Sequence, residues 1–247
     1  ARQGEEVIFL VGLPCSGTGL VAKILSSHPQ LAMSDEAADL QQVLDEESRR
    51  RGQVFSQWVP SATPEDWSRL GQVYLARTGR WRARKSRFID CHVHNWRLAG
   101  AAMAMLPGAR MINARRDPLE TCLACYRQLF AEGEDYSFNL DHMVSHWRDY
   151  DRTCRHWQQL FPDRFVEHIF ESWRDDPDAS LQRLLEVCGL APNPDCVALS
   201  RTQHLEYTTV AHPPAGRHVR ATTRSARYGA RLNRLRALLA GAVNPEK

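Results

Sequence analysis

With 247 residues, 43% of them hydrophobic and 25% charged, the chain holds enough apolar material for one large core and has an ordinary globular composition. The formal net charge of +3 is small and the arginines are scattered, which excludes a polyanion-binding tail and gives no reason to expect a nucleic-acid partner. No stretch approaches the roughly 18 apolar residues of a membrane span, and no secretion signal opens the chain, so a soluble protein without a membrane partner is expected.

Cys15, Cys91, Cys122, Cys125, Cys154, Cys188 and Cys196 are odd in number and irregularly spaced, in a chain large enough to need no staples. That favours free thiols in a reducing compartment, the cytoplasm. One domain is expected over residues 1–247. The chain opens at Ala1 without Met and reaches an apolar run almost at once, so fusion to or contact with other domains is a further expectation.

Val7-Ile8-Phe9-Leu10-Val11 is an unbroken apolar run ending at Gly12, the pattern of a strand covered on both faces as in a parallel sheet. Residues 17–27 carry a helical pattern that stops at His28-Pro29. Strand, glycine loop and helix in that order form the first unit of an α/β fold. Residues 40–85 contain Pro60, Pro64 and four arginines near Trp81 but no firm strand, and read as a helical insertion over the sheet. Arg87-Phe88-Ile89-Asp90 predicts a second strand, residues 95–106 a helix, and Arg110-Met111-Ile112-Asn113 a third strand after the Pro107-Gly108 turn.

Pro118 suits a helix start, and residues 119–130 continue it with apolar residues at helical spacing. Met143, Trp147, Tyr150, Cys154 and Trp157 recur at three or four residues and predict a long amphipathic helix over 140–161. Residues 165–170 suggest a fourth strand, 177–188 a helix closed by Gly189, and 205–223 a polar loop. Cys122-x-x-Cys125 has metal or redox spacing but falls inside a predicted helix, which favours packing. His142 and His146 lack the adjacent glutamate of a zinc-protease helix and read as surface or cap residues.

The segment Gly12-Leu13-Pro14-Cys15-Ser16-Gly17-Thr18-Gly19-Leu20 joins the buried strand to the helix, placing backbone N–H groups and a helix N-terminus around an anion. Ser16 and Thr18 add hydroxyl donors. A nucleoside triphosphatase is excluded, because the loop lacks the Gly-Lys-Ser/Thr that such enzymes need.

This loop, continued by Ile24-Leu25-Ser26-Ser27-His28-Pro29-Gln30, resembles the 5′-phosphosulfate loop of the bacterial sulfotransferases often fused to tetratricopeptide repeats, relatives of the tyrosylprotein sulfotransferases. Residues 112–130, beginning Ile112-Asn113-Ala114-Arg115-Arg116-Asp117-Pro118, are similar to the family's 3′-phosphate segment, and Phe170-Glu171 with Asp176-Pro177 match its closing strand and helix. The resemblance implies a P-loop-type sulfotransferase fold: an α/β domain with a central, mainly parallel sheet flanked by helices. It also implies 3′-phosphoadenosine-5′-phosphosulfate as sulfuryl donor, no metal, and a small-molecule or peptidyl acceptor.

By the same resemblance, the nucleotide-binding residues are Pro14, Cys15, Ser16, Gly17, Thr18, Gly19, Arg116 and Ala124. Arg116 would hold the 3′-phosphate, a role that suits a fixed guanidinium at a strand end. Its alternative is a surface ion pair with Asp117 or Glu120. Three positions depart from the family: Cys15 replaces an arginine facing the sulfate, Cys91 a lysine that stabilises the leaving group, and Ala124 a serine on the 3′-phosphate.

Gapless counting puts Glu36 at the family's general base, with Asp35 its neighbour and a solvated acidic helix start the alternative. Asp90-Cys91-His92-Val93-His94-Asn95 represents the family's Asp-Lys-x-Pro-x-Asn. Strand alternation would place His92 and His94 on one face, where they could replace a lost cation, act as the base, bind a metal with Cys91 or Glu36, or serve only in packing. Near the C-terminus, Tyr207-Thr208-Thr209 and His212-Pro213-Pro214 match the family loosely, and Arg217, Arg220 and Arg224 are candidates for further phosphate contacts.

The expectation is a sulfotransferase acting on a hydroxyl or amine, with Glu36, His92 and His94 as the catalytic candidates. The alternative is a catalytically degenerate nucleotide-binding homologue, or the same fold reused for a different donor or reaction.

Overall fold

The structure is a computed structural model that describes residues 2–34, 38–82, 85–131, 133–201 and 224–243. Asp35, Glu36, Tyr207, Thr208, Thr209, His212, Pro213, Pro214, Arg217 and Arg220 therefore lie outside the described residues.

Strand β1 (Val7–Gly12) is buried at every position, as its unbroken apolar run requires. It lies at the centre of a five-stranded sheet of order β2-β3-β1-β4-β5, with β2 (Leu31–Met33), β3 (Arg87–Asp90), β4 (Arg110–Arg115) and β5 (Phe165–Ile169). Every pairing is parallel. The register sets Phe9 beside Asp90 on β3 and Gly12 beside Ala114 on β4.

Alternation along β1 splits the core in two. Val7, Phe9 and Val11 face one layer, and Ile8 and Leu10 the other. The second layer is built from α1 (Thr18–Ser26), through Leu20 and Ile24, together with Leu181, Leu184 and Cys196 from the C-terminal helices described below. The first and larger layer takes in the helices inserted between β2 and β3: α2 (Asp39–Arg51), α3 (Phe55–Trp58), α4 (Pro64–Arg77) and α5 (Gly79–Arg82). Leu40, Trp58, Leu70 and Tyr74 from these helices are wholly or almost wholly buried, each contributing about 1.5–3 kcal/mol.

The arginines near Trp81 are matched by acids. Arg80 Nη2 donates to both Asp39 oxygens at 2.8 Å, and Arg82 reaches Glu6 at 2.6 Å. Glu47 is clasped by Arg50, Arg51 and Arg69, which holds its carboxyl well below the usual range. These ions organise the insertion and leave little charge for a ligand.

The remaining helices are α6 (Ala99–Met105), α7 (Pro118–Tyr126), α8 (Leu140–Leu160), α9 (Ser172–Asp175), α10 (Pro177–Cys188), α11 (Pro194–Ser200) and α12 (Asn233–Val243). Pro118 stands at the start of α7, where Asp117 accepts from Glu120 N–H at 2.9 Å. Gly189 closes α10 in the left-handed conformation, φ 63°.

Several expectations are corrected. The helix expected over 95–106 divides into a 3-10 segment, Val93–Leu98, and α6. Strand β3 ends at Asp90, so His92 and His94 are not strand residues on a common face: His92 precedes the 3-10 segment and His94 lies within it. Helix α7 stops at Tyr126. Strand β2 was not anticipated, because three residues are too few to show a period.

Candidate functional site

The chain runs from β1 to the β2 edge, returns to β3, then crosses to β4 on the other side of β1. That reversal makes the carboxyl end of β1 the switch point at which open parallel sheets leave a ligand crevice. Most of the sequence-derived candidates among the described residues gather there. The loop 12–17 follows β1, His92 and His94 follow β3, Arg116 follows β4, and Phe170 follows β5. Ser34 follows β2; its N–H donates to Ile89 O at 2.9 Å and its Oγ accepts from Cys91 N–H at 3.1 Å, so the β2 and β3 ends are tied together.

The loop turns where Ser16 N–H donates to Leu13 O at 3.2 Å. Pro14 and Cys15 are the middle residues, and Cys15 takes φ 66°, a left-handed conformation that costs a non-glycine residue about 1–2 kcal/mol. Burial of its side chain in the first core layer, against Cys125, offsets that strain. The Cys125 thiol donates to Pro14 O at 3.1 Å and is pushed well up by its hydrogen bond with Cys15 and by burial. Cys15 thus points into the core and supplies no cation.

Gly17 caps α1 with φ 102°, and a Cβ there would stand 2.5 Å from the Phe170 ring. Gly19 has open space where a side chain would begin, and the buried Ser16 hydroxyl has no hydrogen-bond partner among the described residues. A buried hydroxyl left unpaired beside a helix N-terminus is suited to an incoming anion.

Two consecutive arginines leave β4, and their surroundings separate them. Arg115 is bound by Asp151 and by Glu167, the latter at 2.8 Å, and these acids outweigh burial to raise it further above the usual arginine range. Arg116 lies over the Phe170 ring at 4.8 Å, its buried Nε without a partner among the described residues. Its contact with Glu120 is 3.5 Å, long for an ion pair, and only 16% of its side chain is exposed, so it is not a surface pair. Glu120 itself accepts from the N–H groups of Arg224 and Ser225, at 3.0 and 2.9 Å. Ala124 is packed against the first core layer and offers no donor.

At the β3 end, Asp90 accepts from Tyr74 Oη at 2.7 Å, His92 N–H at 3.0 Å and Asn95 Nδ2 at 3.1 Å. Burial pushes its carboxyl up to about 6, against the lowering effect of those donors. This network fixes the turn that carries the histidines, whose rings stand edge to face with centroids 5.7 Å apart. His94 Nε2–H donates to Glu134 Oε1 at 2.8 Å, and its buried Nδ1 has no partner among the described residues.

Glu134 lies just before the 3-10 segment Asp135–Phe138. Burial acts to raise its carboxyl, but the His94 and Tyr136 side chains leave it below the ordinary value. The Tyr136 hydroxyl and Oε2 nonetheless fall short of good hydrogen-bond geometry. Tyr136 stacks on His146 at 3.7 Å and 11°. Burial, then the Arg97 charge, push His146 down to about 4. His146 is therefore a half-buried member of this cluster and not a surface or cap residue. Cys122 and Cys125 are both buried, and among the described residues no group of three or more His, Cys, Asp or Glu could hold a metal ion.

Sequence reasoning missed Glu134, Tyr136 and the placement of His146. They lie in a connector and on a helix face, and only the fold brings them to His94.

A parallel α/β sheet with a strand, glycine loop and helix at its switch point is the frame of a P-loop-type fold. A family model described as the Sulfotransferase family matches residues 7–195, and the chain belongs to that family. Among solved structures, sulfotransferase STF9 from Mycobacterium avium is similar with a TM-score of 0.53 and 15% identity, over 98% of this chain and 77% of that one. The sulfotransferase domain of the Synechococcus PCC 7002 olefin synthase has a TM-score of 0.51 and 17% identity, over 78% of this chain and 76% of that one. An uncharacterized protein of Aquifex aeolicus (strain VF5) is 28% identical over 196 residues, 75% of this chain and 26% of that protein. The chain thus spans about a quarter of that relative's length.

Proposed function

We propose that the protein moves a sulfuryl group from 3′-phosphoadenosine-5′-phosphosulfate to a hydroxyl or amine acceptor in the cytoplasm, with His94 taking the acceptor's proton. The loop 12–17 receives the 5′-phosphosulfate and Arg116 the 3′-phosphate. One observation carries this reading: two buried donors without a partner among the described residues, Ser16 Oγ and Arg116 Nε, flank the carboxyl end of the central strands. Unpaired buried donors cost about 1–3 kcal/mol each, a cost that an anionic ligand removes.

The chain's own residues supply orientation and proton removal. The acceptor oxygen attacks sulfur, the bond from sulfur to the bridging oxygen breaks, and the electron pair leaves on the 5′-phosphate. Backbone N–H groups of the loop and the α1 N-terminus face the charge that builds there.

The test is binding of the desulfonated nucleotide, 3′-phosphoadenosine-5′-phosphate. It is expected to raise the melting temperature, and Arg116→Ala is expected to weaken affinity about 30-fold or more, close to 2 kcal/mol, by removing a charge-assisted contact. Unchanged affinity in a folded Arg116→Ala protein rules out the assignment of Arg116.

A second reading, nucleotide binding without transfer, is favoured by Cys15 turning into the core and by Ala124 lacking a donor. Labelled donor incubated with phenols, alcohols and amines separates the two. Glu36 is the rival base, and the comparison of His94 and Glu36 variants described below decides between them.

A further inference from the structure

His94 and Glu134 lie far apart in the sequence, yet the fold presses them together beside the loop. His94 Nε2 is 2.8 Å from Glu134 Oε1, and only 8% of the glutamate side chain is exposed. The rest of the surroundings is also fixed: His92 from the same turn, Tyr136 beside the carboxylate, His146 stacked on Tyr136 from α8, and Arg97 lying over Trp96 at 5.0 Å. The Glu134 charge is felt at Cys125, whose thiol holds Pro14 of the loop. The pair therefore belongs to the ligand end of the sheet.

We infer that Glu134 is a positioning residue for sulfuryl transfer: it holds His94 as the Nε2–H tautomer, so that Nδ1 is the nitrogen that accepts the acceptor's proton. This rests on the transferase reading above. A carboxylate on one imidazole nitrogen sets the tautomer, orients the ring and stabilises the imidazolium that forms as the other nitrogen takes a proton. Nδ1 is closed off from solvent and meets no hydrogen-bond partner among the described residues, the state of a base whose partner is a ligand. In the step itself the acceptor's O–H bond breaks, its proton passes to Nδ1, the new S–O bond forms, and the leaving electrons stay on the 5′-phosphate. No oxidant, reductant or metal enters.

The Glu134 carboxylate meets a positively charged ring only once the proton has moved to His94. It therefore favours the transition state over the ground state.

The first measurement is nitrogen-15 NMR of histidine-labelled protein. It is expected to show His94 with Nε2 protonated and Nδ1 bare at neutral pH, and Glu134→Ala is expected to give a mixture of tautomers. A His94 ring protonated at Nδ1 in the wild type overturns the inference.

The second is transfer of labelled sulfate from 3′-phosphoadenosine-5′-phosphosulfate to a panel of phenols, alcohols and amines. Glu134→Gln is expected to lower kcat about 10- to 100-fold, with the donor KM within about twofold and the acid limb of the pH profile displaced. Glu134→Asp should recover part of the loss, and His94→Ala should be rescued by added imidazole. A folded Glu134→Gln protein with wild-type kcat and pH profile overturns the inference alone. Wild-type protein that binds the desulfonated nucleotide but transfers to no acceptor overturns the transferase reading, and the base role with it.

Discussion

The turn after β1 and the turn after β3 lie side by side in the sheet, but they are built from different materials. The first is almost all backbone: Gly12, Gly17, a left-handed Cys15 and the start of α1, with a single buried hydroxyl. The second is almost all side chain: Asp90, His92, His94 and, brought in from elsewhere, Glu134, Tyr136 and His146. A backbone cradle survives the exchange of arginine for Cys15, since the N–H groups remain whatever side chain stands there. A cluster of ionisable side chains has no such tolerance. In this chain that cluster centres on the contact between His94 and Glu134.

The largest effect is expected at Gly17, where the backbone half can be broken outright. Gly17→Ala places a Cβ 2.5 Å from the Phe170 ring at φ 102°. Left-handed strain and overpacking together cost about 3–4 kcal/mol, and nucleotide affinity should fall with them. Thermal melting and calorimetry check this, and a variant that melts and binds like wild type would show that the loop is not held as described.

Next comes the side-chain half. His94→Asn is expected to lower transfer about 100-fold, near 3 kcal/mol in the barrier, while nucleotide affinity stays within about twofold. Glu36→Gln in parallel should change turnover only a few-fold. The reverse ranking would move the base to Glu36.

Acidity gives the third contrast. His146 is held neutral, with its pKa lowered from 6.5 to about 4, so the unfolded chain gains a proton before the folded one does. Stability is therefore full above pH 6.5 and falls as the pH drops toward 4, by about 2 kcal/mol after allowance for partial exposure. His146→Phe keeps the stack on Tyr136 and removes the proton, so its denaturation midpoint should depend less on pH across that window. Identical pH dependence in both proteins would remove His146 from the account.

The smallest effect joins the two halves. Cys15→Arg with Cys91→Lys restores the cations that the resemblance implies and is expected to change transfer about tenfold, near 1.4 kcal/mol. An increase means that the site still lacks leaving-group stabilisation. A decrease means that the His94 and Glu134 pair has taken over that role.

The two halves also differed in legibility. β1 and its loop could be read directly, because an apolar run, glycines and a helical pattern are local signals. Arg116 was distinguished from Arg115 by resemblance alone; in the structure Arg115 is bound by Asp151 and Glu167, while Arg116 lies over Phe170. The strand Arg87–Asp90 was legible, but strand alternation was carried past its end to His92 and His94, where the chain has already turned toward a 3-10 segment. Glu134 was not legible, since its partner is set by how the connector before α8 folds back. His146 was misread for the same reason, as helical spacing cannot say which polar face another segment covers.

Phe170 touches both anion-directed groups: Gly17 rests on its ring and Arg116 lies over it at 4.8 Å. One side chain therefore sets the span between the loop and the guanidinium, as a spacer sets the jaws of a gauge. Under the proposed function, a ligand with anionic groups at both ends would be measured by that span, and a ligand with one such group would not. It follows that exchanges at Gly17 and Arg116 should not combine as independent changes, because each alters the seat of the other.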